Sequence, residues 1–257
     1  MSSSLKIRTP GDRISYIRSL DLAAAQDMRD LPLTMPLEVS VDAPSASASG
    51  GSTVSFVKGF PLLQRSDVLN STLLAQLAAN AAFDREQATV EWYGKYIEVL
   101  ENVGWVLQGF SFASFYSGSA SFTLDKVVLN IIAAIATQNE LAVVKATLDA
   151  LQKSGDNDKP LKILDTEGSS GPAGNFQISG ATVDADKNTS MTLGAFYFKA
   201  TEHRTRFLWW EWRSAEINVY YGAQSVTLND EVYATVRAAV KEKLGANAAK
   251  FIADIKI

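Results

Sequence analysis

The sequence predicts an α+β fold, a mainly antiparallel sheet with paired helices packed on it in a single compact domain. Three observations carry that expectation. Apolar residues recur at helical spacing in consecutive segments, over 66–104 and 125–152, so helices come in pairs. Between and after those pairs, at 105–124 and 175–228, large apolar residues alternate with small or polar ones at the period of a strand. Strand groups separated by helix pairs differ from the regular strand-helix-strand alternation of a parallel sheet.

Residues 1–52 read as an N-terminal arm and linker, and 53–257 as the α+β globular domain. The arm holds Ile14, Ile17, Leu20 and Leu22, enough for a short amphipathic helix that docks on the body or on a partner. "LPLTMPLEVSVDAPSASASGGS" then gives three prolines and a Ser/Ala/Gly tract, 45–52, the composition of a flexible loop. In the body, the first helix takes Ser66 or Asp67 as its cap and stacks Leu69, Leu73, Leu77 and Ala81 down one side. The second opens on Asp84 with Gln87 three residues later, a capping-box variant. It places Val90, Tyr93, Ile97 and Leu100 on one face and stops at Gly104.

The period then changes. "WVLQGFSFASFYSGSASFTL" predicts a hairpin, with Phe110, Phe112 and Phe115 before a turn at 117–119 and Phe122 after it. Residues 125–152 continue as an apolar helical region capped by Asp125, with a break near Gln138 and Asn139. Its first half is apolar on most sides, which predicts the most buried helix of the protein. Beyond the polar "KSGDNDKP" and the connector "GSSGPAG", four strands form a meander: "NFQISGATVD", "SMTLGAFYFKAT", "TRFLWWEWRS" and "AEINVYYGAQSVTL". Helix 230–244 closes the domain, capped by Asn229, acidic at its start, basic at its end and stopped by Gly245. A short helix near 248–253 follows.

Composition excludes more functions than it assigns. With 47% hydrophobic and 20% charged residues the chain is far from the disordered regime. Its net charge of −4 gives no general attraction toward phosphate backbones, so nucleic acid is not an expected partner. The absence of cysteine removes disulfides, thiolate metal sites, a cysteine nucleophile and S-acylation. The N-terminus lacks the continuous apolar block of a secretory signal, so the expected location is cytoplasmic, with a non-classical route as the one open to release. The apolar run at 127–136 is about half of the ~20 residues that cross a bilayer.

Motifs for chemistry fail one by one. The single histidine, His203, sits among Glu202, Arg204 and Arg206, the composition of a solvated tip. "DADKN" matches the first ligands of a calcium loop at Asp184, Asp186 and Asn188 but has Thr189 and Ala195 where Gly and Glu are required. "GSSGPAG" lacks the lysine of a phosphate cradle, and Asp165 with Glu167 remain as unassigned carboxylates. No cofactor, metal or catalytic residue is predicted.

One stretch stands out, "TRFLWWEWRSAEINVYYG", which holds three of the five tryptophans. Read as a strand, it puts Phe207, Trp209, Glu211 and Arg213 on one face and Leu208, Trp210, Trp212 and Ser214 on the other. Burying one indole is worth about 4–6 kcal/mol gross, which favours a core for most of these rings. The alternative is a binding groove for lipid or sugar, or a subunit interface. Trp209, Trp210, Glu211, Trp212 and Arg213 are the candidate binding residues.

"NSTLLAQLAANAAFDREQATVEWYGKYIEVLENVGWVLQGFSF", "ELAVVKATLDAL", "GAFYF" and "LNDEVYATVRAAVKEKLG" resemble the Evf-type bacterial virulence factors, a likeness covering most of the chain from about residue 53. The resemblance implies a compact α/β virulence protein that associates with membranes and carries a fatty acyl group on a cysteine. This chain has no cysteine, so no site residue carries over. The reading is a non-enzymatic virulence or interaction protein, holding a lipid or fatty-acyl tail in an apolar interior. Two alternatives stand beside it, a small-molecule enzyme using Asp, Glu, Tyr or Ser, and a self-assembling structural protein. The partner classes are a lipid or fatty acid, a membrane surface and a second copy of the chain.

Overall fold

The computed structural model describes residues 9–23, 39–107, 111–169, 171–184 and 188–257. Phe110, Asp186 and the prolines at 32 and 36, named above, lie outside the described residues. Three long strands, β6 (Ala173–Val183), β7 (Thr189–Ala200) and β9 (Ile217–Leu228), form the antiparallel centre of the sheet. Their alternation sends odd and even positions to opposite faces. On β7, Met191, Leu193 and Ala195 enter one apolar core, and Phe196 and Phe198 enter the other.

The composition of 45–52 misleads. Ser45–Ser49 and Ser52–Phe56 are strands β1 and β2, a buried hairpin of the sheet rather than a linker. Gly50 (φ 55°) and Gly51 make its two-residue turn. Gln76 on helix α2 (Leu62–Ala82) closes over that turn: its Oε1 accepts from Gly51 N at 3.0 Å and its Nε2 donates to Ser49 O at 2.9 Å. A Cβ on Gly51 would stand 2.5 Å from an Arg85 nitrogen, so the turn must be bare where the helices press on it. β2 then pairs in parallel with β6. The sheet is therefore mixed, mostly antiparallel with one parallel pair, and the domain is α+β.

The short segments also depart from the expected pairing. β3 (Trp105–Val106) and β4 (Ala113–Phe115) both join β9, and β5 (Ser121–Phe122) pairs with β8 (Trp212–Arg213). They do not form a hairpin with each other, because the long free edge of β9 offers more ladder bonds than two short strands give one another. At the chain end, the expected short helix is α8 (Asn247–Phe251), followed by strand β10 (Ile252–Ile255) against β1. The eight-stranded order is β10-β1-β2-β6-β7-β9-β3, with β4 also on β9.

Helices cover both faces. On one lie α1 (Pro10–Ser19), α2, α3 (Thr89–Val103) and α7 (Asp230–Leu244), and on the other α4 (Leu124–Ala133), α5 (Gln138–Lys153) and α6 (Lys159–Gly168). α1 begins with a capping box between Thr9 and Asp12 and buries Ile17 against the body. The break in 125–152 falls at residues 134–137, where Thr137 and Glu140 build a capping box for α5. α6 is absent from the sequence reading, although Asp158 before a proline at the first helical turn announces it. Val90, expected inward, is 65% exposed, because α3 buries the stripe through Trp92, Tyr93, Tyr96 and Leu100 instead.

α2, not the 125–152 region, is the most buried helix: Asp67 through Ala79 are all buried, whereas α4 buries one face only, through Leu124, Val127, Val128 and Ile132. Asp67 is thus no helix cap. The helix starts after Pro61, and the fully buried Asp67 carboxylate takes both Nε (2.9 Å) and Nη2 (2.7 Å) of Arg237 on α7.

Removing one partner of such a pair leaves an uncompensated charge inside the protein. Arg237→Met is expected to lower the unfolding free energy by about 3–5 kcal/mol, read as a drop in urea midpoint at unchanged slope. Asp67→Leu combined with Arg237→Met should recover most of that loss; a single-variant cost under about 1 kcal/mol would show that the pair is dispensable.

Candidate functional site

The three tryptophans lie in and beside a turn. Residues 205–210 fold back on themselves, Trp212–Arg213 is a short strand, and the long strand β9 begins only at Ile217. Contacts of Arg206 with residues distant in sequence defeat the extended form. Asp165 on α6 accepts the Arg206 backbone N–H at 2.9 Å, and Arg206 takes φ 53°, the sole positive φ outside glycine among the described residues. The Arg206 guanidinium reaches the end of α5, donating to Ser154 O at 3.1 Å, to Asp156 Oδ1 at 2.9 Å and to Gln152 O.

With the backbone held there, Phe207, Leu208 and Trp212 turn inward. Phe207 lies 5.1 Å from Phe176 between ring centroids and against Gly168, where a Cβ would stand 3.1 Å from its Cζ. Trp212 packs 5.8 Å from Phe198 and donates its indole N–H to Phe207 O at 3.0 Å. The other candidates face outward. Trp209 is half-buried beneath the Arg206 guanidinium, and Trp210 is 41% exposed with Arg204 stacked on it at 4.2 Å. Glu211 accepts from Ser121 Oγ at 2.7 Å, and Arg213 projects into water. So the five candidate residues separate into one core ring, one rim ring and an exposed trio. Tyr116 at 85% exposure stands on the adjoining 113–122 segment, which Ser214 ties back by bonds to Ser119 and Ala120.

Where α4 and α5 meet the sheet the contact is close. A Cβ on Gly194 of β7 would stand 2.6 Å from Ile132 of α4, and one on Gly180 of β6 would stand 3.2 Å from Val144 of α5. These helices rest directly on the sheet. Space lies instead at the edge, where α5, the start of α6 and β10 border an open groove of about 1160 Å³. Ala146, Ala150, Leu151, Ile252, Ile255 and Ile257 give it apolar walls, and Lys153, Lys159 and Lys256 alternate on its border with Asp149, Asp158 and Asp254. Ser154, whose carbonyl holds Arg206, lines the groove as well, so groove and tryptophan turn share the α5–α6 corner.

The border charges are not equivalent. Asp254 is bound by Arg65 at 2.6 Å, Asp158 accepts from Gly155 N and Lys159 donates to Ala249 O. Lys153 and Lys256 have no ion pair among the described residues. Elsewhere, burial pushes the Asp165 carboxyl up, against the Arg206 N–H and guanidinium that pull it down. Burial likewise raises Glu167, against the charge of Arg85. The Arg85 guanidinium is itself buried, over the Trp92 ring at 5.1 Å, and Arg85 and Glu167 line a small pocket of about 240 Å³ with Asn80 and Asp84. No group of three or more His, Cys, Asp or Glu residues able to hold a metal occurs among the described residues. His203 is exposed.

No protein-family model matches the chain, and no curated protein matches it in sequence. Among solved structures it is similar to a delta-endotoxin at 12% identity, over 80% of this chain and 91% of that one, with a TM-score of 0.44. It is also similar to the Evf virulence factor at 11% identity, over 95% of this chain and 90% of that one, with a TM-score of 0.35. The second is a member of the family that the sequence resembles. Both likenesses are too distant to argue from. No helix among the described residues is long and apolar enough to cross a membrane.

The division of the tryptophans is directly measurable. Trp212→Ala is expected to cost about 3–5 kcal/mol of stability, and Trp210→Ala to stay within about 0.5 kcal/mol, in urea unfolding followed by circular dichroism. Equal costs would contradict the inward and outward placement. A pH effect follows from the raised carboxyls. Asp165 and Glu167 hold their protons more tightly folded than unfolded, so the stability linked to them is complete below the ordinary carboxylate range and is lost as pH rises through their raised values. Between about pH 4 and about pH 7, Glu167→Gln should flatten the pH dependence of the unfolding free energy relative to the parent chain; an unchanged slope contradicts the assignment.

Proposed function

We propose that the chain is a non-enzymatic virulence or interaction protein that binds amphipathic molecules with an acyl tail and works at membrane surfaces. The observation that carries this reading is the apolar groove of about 1160 Å³ along α5 and β10, above the usual 300–1,000 Å³ range of ligand sites. Burying a tail of methylene groups there gains roughly 0.8 kcal/mol for each one removed from water. Lys153 on the border carries a charge without an ion-pair partner among the described residues, suited to a carboxylate or phosphate head.

The neighbouring turn supplies a surface contact. Trp210 and Tyr116 are the aromatic types that settle at the headgroup level of a bilayer, and Arg204 and Arg213 stand beside them in sequence or space. The virulence part of the reading rests on the sequence resemblance from about residue 53, and binding without catalysis on a groove whose walls are apolar and whose charges stand on its border.

The test is lipid extraction and native mass spectrometry of the purified chain, followed by titration with a fluorescent fatty acid. Ala150→Trp places an indole in the groove from a half-buried helix position and should weaken fatty-acid binding by at least about tenfold, a loss of ~1.4 kcal/mol, without lowering the melting temperature. Ligand-free protein, or undiminished binding by the filled groove, overturns the proposal.

A further inference from the structure

β10 ends the sheet, with β1 on one side and no strand on the other among the described residues. Such an edge presents unpaired N–H and C=O groups to any chain able to match it. The neighbouring side chains say which chain matches. On β10 and its extension, Asp254 and Lys256 project to one face and Ala253, Ile255 and Ile257 to the other.

An antiparallel ladder of this strand with its own copy, centred on Ile255, puts Ile255 opposite its twin and Ala253 opposite Ile257. In the same register Asp254 lies opposite Lys256 of the copy, twice over by symmetry. Directly opposed unlike charges and apolar pairs are the contacts that stabilise a sheet. Shifting the two-fold centre to Asp254 sets two aspartates against each other, and centring it on Ala253 sets Lys250 against Lys256.

Asp254 is prepared for a second cation. Its Oδ1 receives both Arg65 Nη2 at 2.6 Å and Ser47 Oγ at 2.8 Å, and no hydrogen bond falls on Oδ2 among the described residues. Lys256 is exposed and has no ion pair among the described residues. We propose that β10 is a self-pairing edge, joining two copies of the chain through an antiparallel ladder centred on Ile255 with reciprocal Asp254–Lys256 contacts. The inference goes beyond lipid binding and does not rest on it.

A chain without cysteine makes the test clean. Opposed residues in an antiparallel ladder stand about 4.5–5.5 Å apart at Cα, within the span of a disulfide. Ile255→Cys should therefore give a disulfide-linked dimer under mild oxidation, while Ala253→Cys, offset from its own copy, should not. Sedimentation velocity of the unmodified chain at about 100 μM should show a dimer, and the exposed Lys256→Asp should weaken it by at least about tenfold by setting acid against acid. Added salt should weaken the parent dimer and, by screening the acid–acid repulsion, narrow the gap between it and the variant. A monomer at that concentration, or equal cross-linking at 253 and 255, overturns the proposal and leaves Lys256 as a guard against edge pairing. Fatty-acid titration of the unmodified chain beside its sedimentation keeps the two ideas apart: a monomer that still binds fatty acid touches only this one, and a dimer that binds none touches only the other.

Discussion

Everything in this molecule accommodates one helix laid between a sheet and a second layer of helices. From Asp67 to Ala79, α2 has no face in water, yet it carries Ser, Thr, Asn, Gln and a carboxylate through that space. Asn70 and Thr72 find partners within the helix, but Asp67, Ser71 and Gln76 are matched from other elements. Arg237 reaches from α7 to Asp67, Trp105 donates from β3 to Ser71, and Gln76 spends its amide on the β1–β2 turn. Those three bonds fix α7, the far edge of the sheet and the first hairpin relative to one helix. Apolar burial supplies the driving force; the polar contacts of Asp67, Ser71 and Gln76 select the arrangement in which these groups have partners.

The sheet answers with small residues. Where α4 and α5 press on β7 and β6, the strands have Gly194 and Gly180, and β1 and β2 are built largely of serine and alanine. α4 and α5 then sit close on the sheet at those positions, and an apolar groove lies at the periphery, between α5 and the last strand. A groove at a sheet edge is open along its length, unlike an enclosed pocket, and admits chains better than compact molecules.

Legibility followed side-chain size. β6, β7, β9, α3 and α7 were readable because large apolar residues mark their faces and Gly104, Asn229 and Gly245 mark their ends. The β1–β2 hairpin was hidden because a buried strand of Ser and Ala has the same composition as a linker, and only tertiary contact with α2 tells them apart. α2 looked less buried than 127–136 because its polar groups are satisfied by partners distant in sequence. The tryptophan stretch looked like a strand since alternation cannot register a bond such as Asp165 to Arg206 N, 41 positions away. Of the site, the sequence marked Trp209 to Arg213, whereas the groove is assembled from α5, α6 and β10 and has no contiguous signature.

The two margins of the sheet differ in kind. On one side β9 is sheltered along parts of its length by the short β3 and β4, while the opposite side ends at β10 with no further strand among the described residues. A margin that pairs with its own copy is used up by that contact, so association through β10 stops at a pair and does not lengthen into a fibre.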